Sequence, residues 1–116
     1  MDDVKMLARC NLRFIEAWRQ GSWLMLEPLL SRSFSCMDGD TGEVWDLERY
    51  REALVESPRP MLRFDQVVIH VAGSTGIVSA RSRTRRGHST RYLDTYARHG
   101  EDWLCVHACV WPLRAG

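Results

Sequence analysis

The 116-residue chain lacks the long apolar run that a membrane span requires. No stretch approaches the roughly 18–20 consecutive apolar residues of a transmembrane helix. The first residues, MDDVKMLARCNLRF, are acidic and mixed in character, whereas a signal peptide has a basic start followed by an apolar run. We therefore expect a cytoplasmic protein without a membrane partner.

Signatures of cofactor and metal chemistry are also missing. The chain has no phosphate-binding loop or dinucleotide fingerprint, and its four cysteines show no CxxC spacing. Cys105, His107 and Cys109 alternate along one predicted strand, but neighbours on one strand face are roughly 6.5–7 Å apart, too far to converge on an ion. We expect no cofactor and no metal, and we expect the cysteines to be free thiols.

Excess charge is lacking too. The net charge of +1 provides no general attraction to nucleic acid. The distribution is uneven, at −4 for residues 1–57 and +5 for residues 58–116, and the arginines between 81 and 91 lack interleaved aromatic residues. We expect no nucleic-acid partner, and ordinary apolar and charged fractions of 45% and 27% indicate one folded domain over residues 1–116.

Helical signals dominate the first half of the chain. Residues 3–20 predict an amphipathic helix with Asp3 as N-cap and Gly21 after its end; its apolar stripe comprises Leu7, Cys10, Phe14, Ala17 and Trp18. Trp23–Leu30 predicts a short buried helix, interrupted near Pro28 because proline lacks an N–H group.

The remaining elements complete an α+β pattern. Asp46 is expected to cap a third helix, Leu47–Glu56, which follows a short strand at Ser33–Met37. Strands are predicted over 61–72 and 77–86 and in a C-terminal hairpin over 91–112. The expected architecture is three N-terminal helices packed on a strongly curved antiparallel sheet, which would enclose a cavity at its open end.

The predicted hairpin places two titratable residues, Asp94 and His107, opposite each other. A two-residue loop at Gly100–Glu101 suits a type II′ turn and places Asp94 opposite His107, with Tyr96 opposite Cys105 and Tyr92 opposite Cys109. A four-residue loop gives the same register, whereas a three-residue loop would move His107 to the other face. Directly opposed residues are close enough to form a hydrogen bond.

Period-two alternation divides the hairpin into two faces. One face is aliphatic and the other is polar and aromatic, with the members Tyr92, Asp94, Tyr96, Trp103, Cys105, His107, Cys109 and Trp111. Because the helices of one chain cover only one face of the sheet, we expect the other face to meet a second subunit in a homodimer. The alternation alone leaves two assignments open: either the polar and aromatic face lines the cavity, or the aliphatic face packs on the core and the aromatic face meets the second subunit.

Four segments carry a family resemblance. They are the opening FIEAWRQGSWLMLEPLLSRSF, the third-helix segment GEVWDLERYREAL, the strand pair FDQVVIHVAGSTGIVSARSRTR and the hairpin RYLDTYARHGEDWLCVHACV. In this order the chain resembles the nuclear-transport-factor-2-like superfamily, and more closely its SnoaL-like and DUF4440 branch. The resemblance implies a conical half-barrel that forms a dimer, and it favours the polar and aromatic face of the hairpin as the cavity side. The functions that it implies range from isomerases, dehydratases and cyclases to non-catalytic association domains. The chain departs from the family at Cys109, where members often carry a second histidine.

Candidate site residues follow from the pairing and the resemblance. Asp94 and His107 would form an acid–base pair, in which the carboxylate fixes the imidazole tautomer; the alternative is a polar pair that only sets strand register. The resemblance suggests that Arg83 lies in the pocket, where it could receive a carboxylate or phenolate; the alternative is that Arg81, Arg83 and Arg85 form a solvated or interfacial row. The expected ligand-binding residues beside it are Phe14, Trp18, Tyr50, Tyr96 and Cys109.

These residues predict a domain that binds a small, largely apolar organic molecule. The enzymatic version is a cofactor-free lyase, isomerase or cyclase that uses Asp94 and His107. The alternative is a non-catalytic association or ligand-sensing domain that acts as a homodimer. Both ligand-binding versions require an open cavity between helix 1 and the sheet, and a cavity filled by side chains would contradict both.

Overall fold

A computed structural model describes residues 2–114, and its architecture confirms the predicted α+β class. A six-stranded sheet has the strand order β2-β1-β6-β5-β4-β3, with β1 parallel to β6 and every other neighbouring pair antiparallel. Three helices pack on one face of this curved, unclosed sheet. The strands are β1 (Leu30–Asp38), β2 (Val44–Trp45), β3 (Arg63–Ala72), β4 (Thr75–Arg83), β5 (Ser89–His99) and β6 (Asp102–Leu113).

Helix α1 (Asp3–Gln20) has the predicted length but a different N-cap. The carboxylate of Asp2 accepts a hydrogen bond from the Lys5 N–H at 2.8 Å, so the expectation that Asp3 caps the helix is wrong by one residue. Asp3 instead lies in the first turn and forms an ion pair with Arg98 of β5. Gly21 ends the helix at φ 62°, a left-handed conformation that glycine adopts without a steric penalty.

The second helix is shorter than expected. Ser22 caps α2 (Trp23–Leu26), and a single 3-10 turn at Glu27–Leu29 contains Pro28. Leu30 already belongs to β1, so the predicted helix Trp23–Leu30 ends one turn early. Proline cannot donate the next α-helical hydrogen bond, which is the physical reason for the tightened turn.

Helix α3 (Leu47–Glu56) has the predicted bounds and the predicted cap. The Asp46 carboxylate accepts a hydrogen bond from the Arg49 N–H at 2.9 Å. Tyr50 and Leu54 point inward and are buried. This helix packs against β1 and against α2.

The β5–β6 hairpin begins in the predicted register. Its turn is the expected two-residue loop, with a positive φ of 66° at Gly100 and none at Glu101, as a type II′ turn requires. His99 pairs with Asp102, and Tyr96 pairs with Cys105, as predicted.

A β-bulge then changes the register of the hairpin. Thr95 pairs with His107, so Val106 is an extra residue on β6 with no counterpart on β5. Beyond this point Asp94 lies opposite Ala108 and Tyr92 lies opposite Val110, so the predicted pairing of Asp94 with His107 is wrong. Sequence alternation carries no signal for one inserted residue, and a one-residue shift exchanges the two faces of the strand.

The core lies between the helices and the concave face of the sheet. Its buried apolar side chains are Leu7, Phe14, Ala17, Leu26, Leu54, Val78, Tyr96, Trp103 and Cys105, among others. One buried polar pair crosses this core: the Tyr92 hydroxyl donates to the Asn11 amide oxygen at 2.6 Å, and joins β5 to α1.

This pair predicts a specific stability effect. Tyr92→Phe leaves the Asn11 oxygen buried without its donor, and we expect the free energy of unfolding to fall by about 1–3 kcal/mol. The measurement is urea unfolding followed by circular dichroism. The double variant Asn11→Leu/Tyr92→Phe should lose less than the sum of the two single variants; strict additivity would contradict a coupled pair.

Candidate active site

A cavity of about 270 Å³ lies between α1, α3 and the concave sheet. Its wall is largely apolar and aromatic. The lining residues are Phe14, Ile15, Trp18, Cys36, Trp45, Tyr50, Ala53, Arg59, Leu62, Ser82, Thr90, Tyr92, Asp94 and Val110. The structure therefore brings together four of the predicted site residues, namely Phe14, Trp18, Tyr50 and Asp94.

Asp94 provides the one carboxyl group that the described part of the chain contributes to this wall. The residue is 1% exposed and lies in the middle of β5, between Val78 of β4 and Ala108 of β6. Its Oδ2 atom is buried and has no hydrogen-bond partner among residues 2–114. Burial raises the pKa of Asp94 from 3.8 to about 8, because the charged form is poorly solvated there. Near neutral pH the group is mostly a protonated acid.

Trp18 and Tyr50 form the wall of the cavity on the helical side. The rings pack edge to face with centroids 5.5 Å apart, and the Trp18 indole N–H donates to the Tyr50 hydroxyl oxygen at 3.2 Å. Burial raises the pKa of Tyr50 well above its ordinary value, so the residue remains a phenol. Because Trp18 already donates to this oxygen, the phenolic proton is left for another acceptor.

Cys36 of β1 also lines the cavity, but it is a poor nucleophile. Burial, with a smaller contribution from Asp94, raises the pKa of this thiol to about 12. The reactive form of cysteine is the thiolate, which is therefore scarce at neutral pH.

His107 lies outside this site. It pairs with Thr95, whose side chain points away from Asp94, so the imidazole is on the convex face of the sheet. There its Nδ1 atom is 2.9 Å from the Ser35 hydroxyl oxygen of the neighbouring strand. The predicted acid–base pair is thus separated by the sheet itself, because of the bulge at Val106.

Three further predicted site residues also lie outside the cavity. Cys109 pairs with Leu93 on the convex side, again because of the bulge. Arg83 is exposed at the end of β4 and does not line the cavity. Tyr96 does point inward but is fully buried in the core, and its hydroxyl group has no partner among the described residues.

The mouth of the cavity contains residues that the sequence did not predict as site residues. Arg59 and Leu62 belong to the segment between α3 and β3, which reads only as a helix stop because of its two prolines. Ser82 and Thr90 face each other across β4 and β5 and line the cavity as well. Ser82 shares a strand face with Ala80, and Thr90 shares one with Tyr92, because residues two apart point the same way. Ala80 and Tyr92 are buried, so period-two alternation could have placed Ser82 and Thr90 on the inner face.

Within residues 2–114 no helix is long and apolar enough to span a bilayer. Over the same range no three histidine, cysteine or acidic side chains are grouped as metal ligands would be.

This site sits in an open α+β half-barrel that solved structures share. An NTF2-like protein from Cytophaga hutchinsonii matches with a TM-score of 0.87 and 16% identity, over 97% of this chain and 100% of its own. An NTF2-like protein of unknown function in nutrient uptake, from Rhodospirillum rubrum, matches with a TM-score of 0.82 and 22% identity, over 97% and 100%. A candidate dehydratase of the NTF2-like family from Streptomyces avermitilis matches with a TM-score of 0.79 and 18% identity, over 97% of each chain.

The chain therefore has the NTF2-like fold, as the sequence resemblance implied. No protein-family model matches the sequence, and no curated protein matches it significantly. The SnoaL-like and DUF4440 branch accordingly stays a prediction.

The buried carboxyl predicts an unusual dependence of stability on pH. The pKa of Asp94 is higher in the folded chain than the ordinary 3.8, so the folded chain binds more protons between that value and about 8. Its contribution to stability should therefore be full below pH 3.8 and be lost as pH rises to about 8, with a slope of up to about 1.4 kcal/mol per pH unit.

The measurement is the free energy of unfolding from denaturant curves between pH 5 and pH 9. The neutral variant Asp94→Asn should remove this slope and exceed the wild type in stability at the alkaline end. Equal slopes in the two proteins would show that Asp94 is solvated and not the buried acid described above.

Proposed function

We propose that the cavity binds a small, largely apolar organic molecule and that Asp94 transfers a proton to or from it. The reaction class is a cofactor-free isomerisation, elimination or cyclisation. The single observation that supports the proposal most strongly is an uncompensated carboxyl group in the wall of an aromatic cavity. Structural strand positions rarely bury a carboxyl group without a partner.

The raised pKa of Asp94 suits this role. A general acid or base works best when its pKa is close to the operating pH, and burial brings that of Asp94 to about 8. The group can therefore gain and lose a proton at small cost in free energy. This proposal replaces the predicted pair with a single acid–base residue, since His107 lies on the other side of the sheet.

Tyr50 provides a second polar function. Its phenolic proton is not used by Trp18, so it is available to a carbonyl oxygen of a bound molecule. A carbonyl that accepts this hydrogen bond becomes more acidic at the adjacent carbon, from which Asp94 in its ionised form removes a proton. The likeness to a candidate dehydratase from Streptomyces avermitilis is consistent with this chemistry but shows only a common fold.

The convex face of the sheet supports the predicted homodimer. Leu93 and Cys109 pair on this face, and Val68 of β3 is 46% exposed there. No helix within residues 2–114 covers these side chains. Ser79 of β4 lies between Val68 and Leu93 in this row, and the apolar side chains on either side of it are stabilised when a second copy covers them. The same arrangement serves the alternative function, in which the chain is a non-catalytic association or ligand-sensing domain.

Proton exchange tests catalysis without knowledge of the product. Small aryl ketones and polyketide-like ketones are first selected for binding by ligand-observed NMR and then incubated with the protein in deuterated buffer. We expect enzyme-dependent deuterium incorporation next to the carbonyl group. Asp94→Asn should reduce the rate by about 10²–10⁴-fold while binding is retained.

A cavity variant and an outer-face variant serve as controls. Ala53→Phe fills the cavity and should abolish both binding and exchange, whereas Ala97→Phe adds the same ring on the convex face and should change neither. Binding without exchange would favour the ligand-sensing alternative. Equal binding by the filled-cavity variant would contradict both versions.

A charge on the convex face tests the homodimer. Leu93→Arg places a guanidinium group in the middle of the proposed interface, where it is desolvated without a partner. We expect sedimentation velocity to show a dimer for the wild type and a monomer for this variant. A monomeric wild type at micromolar concentration would contradict the homodimer.

A further inference from the structure

The mouth of the cavity holds a cation that the acid–base chemistry does not use. Among residues 2–114, Arg59 is the only one with a basic side chain in the cavity wall. Its segment is tied to the rest of the fold, because its N–H donates to the Trp18 carbonyl at 3.2 Å and its own carbonyl accepts from the Leu62 N–H at 3.0 Å. The side chain therefore starts from a defined position beside the cavity.

The Arg59 guanidinium is held by an aromatic ring and not by an acid. Its central carbon lies 5.4 Å from the centroid of the Trp18 ring. No carboxylate of residues 2–114 forms an ion pair with it, whereas Arg81 is paired with Asp65 and Arg98 with Asp3. A cation–π contact does not use the N–H groups of arginine as hydrogen-bond donors to an acid, so they remain available to another acceptor.

We propose that Arg59 makes the cavity selective for small organic acids: the guanidinium binds the ligand's carboxylate at the mouth, and the apolar body extends along Trp18 towards Asp94. This inference rests on the proposed function, since it names the class of molecule that the cavity binds. The planar fork of arginine matches a carboxylate through two parallel hydrogen bonds. The Ser82 and Thr90 hydroxyls supply additional donors in the same wall.

The inner end of the cavity is compatible with an anionic ligand. Asp94 is mostly protonated near pH 7, because burial raises its pKa to about 8, and it therefore does not repel a carboxylate. Ionisation of Asp94 above that pH introduces a like charge into the inner wall. The titratable groups that face it, Cys36 of β1, Tyr50 of α3 and Tyr92 of β5, stay protonated up to pH 9 because burial raises the pKa of each. The affinity for an acid should consequently fall between pH 7 and pH 9, whereas the affinity for a neutral amide should not.

Matched acids and amides test the proposal. The probes are phenylacetate, cinnamate and 2-naphthylacetate, each with its primary amide, titrated by isothermal calorimetry at pH 7. We expect the best-fitting acid to bind the wild type about tenfold more tightly than its amide, as a charge-assisted hydrogen bond implies. Arg59→Gln should abolish this preference and leave amide binding unchanged, and Arg59→Lys should restore it in part because it keeps the charge but not the fork.

Arg83→Gln is the matched control, since Arg83 is an exposed arginine outside the cavity and its loss should leave the preference intact. Amides that bind as tightly as the acids, or an Arg59→Gln variant that loses both classes equally, would overturn the inference and leave the proposed function standing. Failure of all six probes to bind would count against both. Thermal melts confirm that each variant is folded.

Discussion

The extra residue at Val106 decides which side chains of the last strand share the cavity with Asp94. Before the bulge, Trp103 and Cys105 point inward; after it, Ala108 and Val110 do. The side chain opposite Asp94 is therefore the methyl group of Ala108 and not an imidazole. Without the inserted residue the inner wall would contain His107 and Cys109, and the interior would be far more polar.

With these neighbours, the carboxyl group of Asp94 is buried without a charged partner. The surrounding groups are phenols and thiols, whose pKa values burial also raises, so the interior contains polar groups but little charge at neutral pH. In such an interior Asp94 is protonated at neutral pH, and the free-energy difference between its protonated and ionised forms is small. The cation at Arg59 is held at the mouth, where solvent compensates its charge.

Much of the fold follows from local signals. The left-handed Gly21, the cap at Asp46 and the type II′ turn at Gly100 each depend on a few neighbouring residues, and each agrees with the structure. The errors at helix starts and ends, such as Asp2 in place of Asp3, arise because adjacent residues compete for one cap. The parallel pairing of β1 with β6 joins residues far apart in sequence and leaves no local signal.

Sequence alone therefore determined the α+β class and the order of elements, because these depend on short-range periodicity and caps. The tertiary structure decided that the face with Asp94 turns inward. Only the tertiary structure decided that His107, Cys109 and Arg83 lie outside the cavity and that Arg59 borders it. The bulge changes the strand register by a single residue. The loop between α3 and β3 places Arg59 at the cavity through a backbone hydrogen bond to α1. Both effects arise from packing between distant segments, and periodicity within a segment does not encode them.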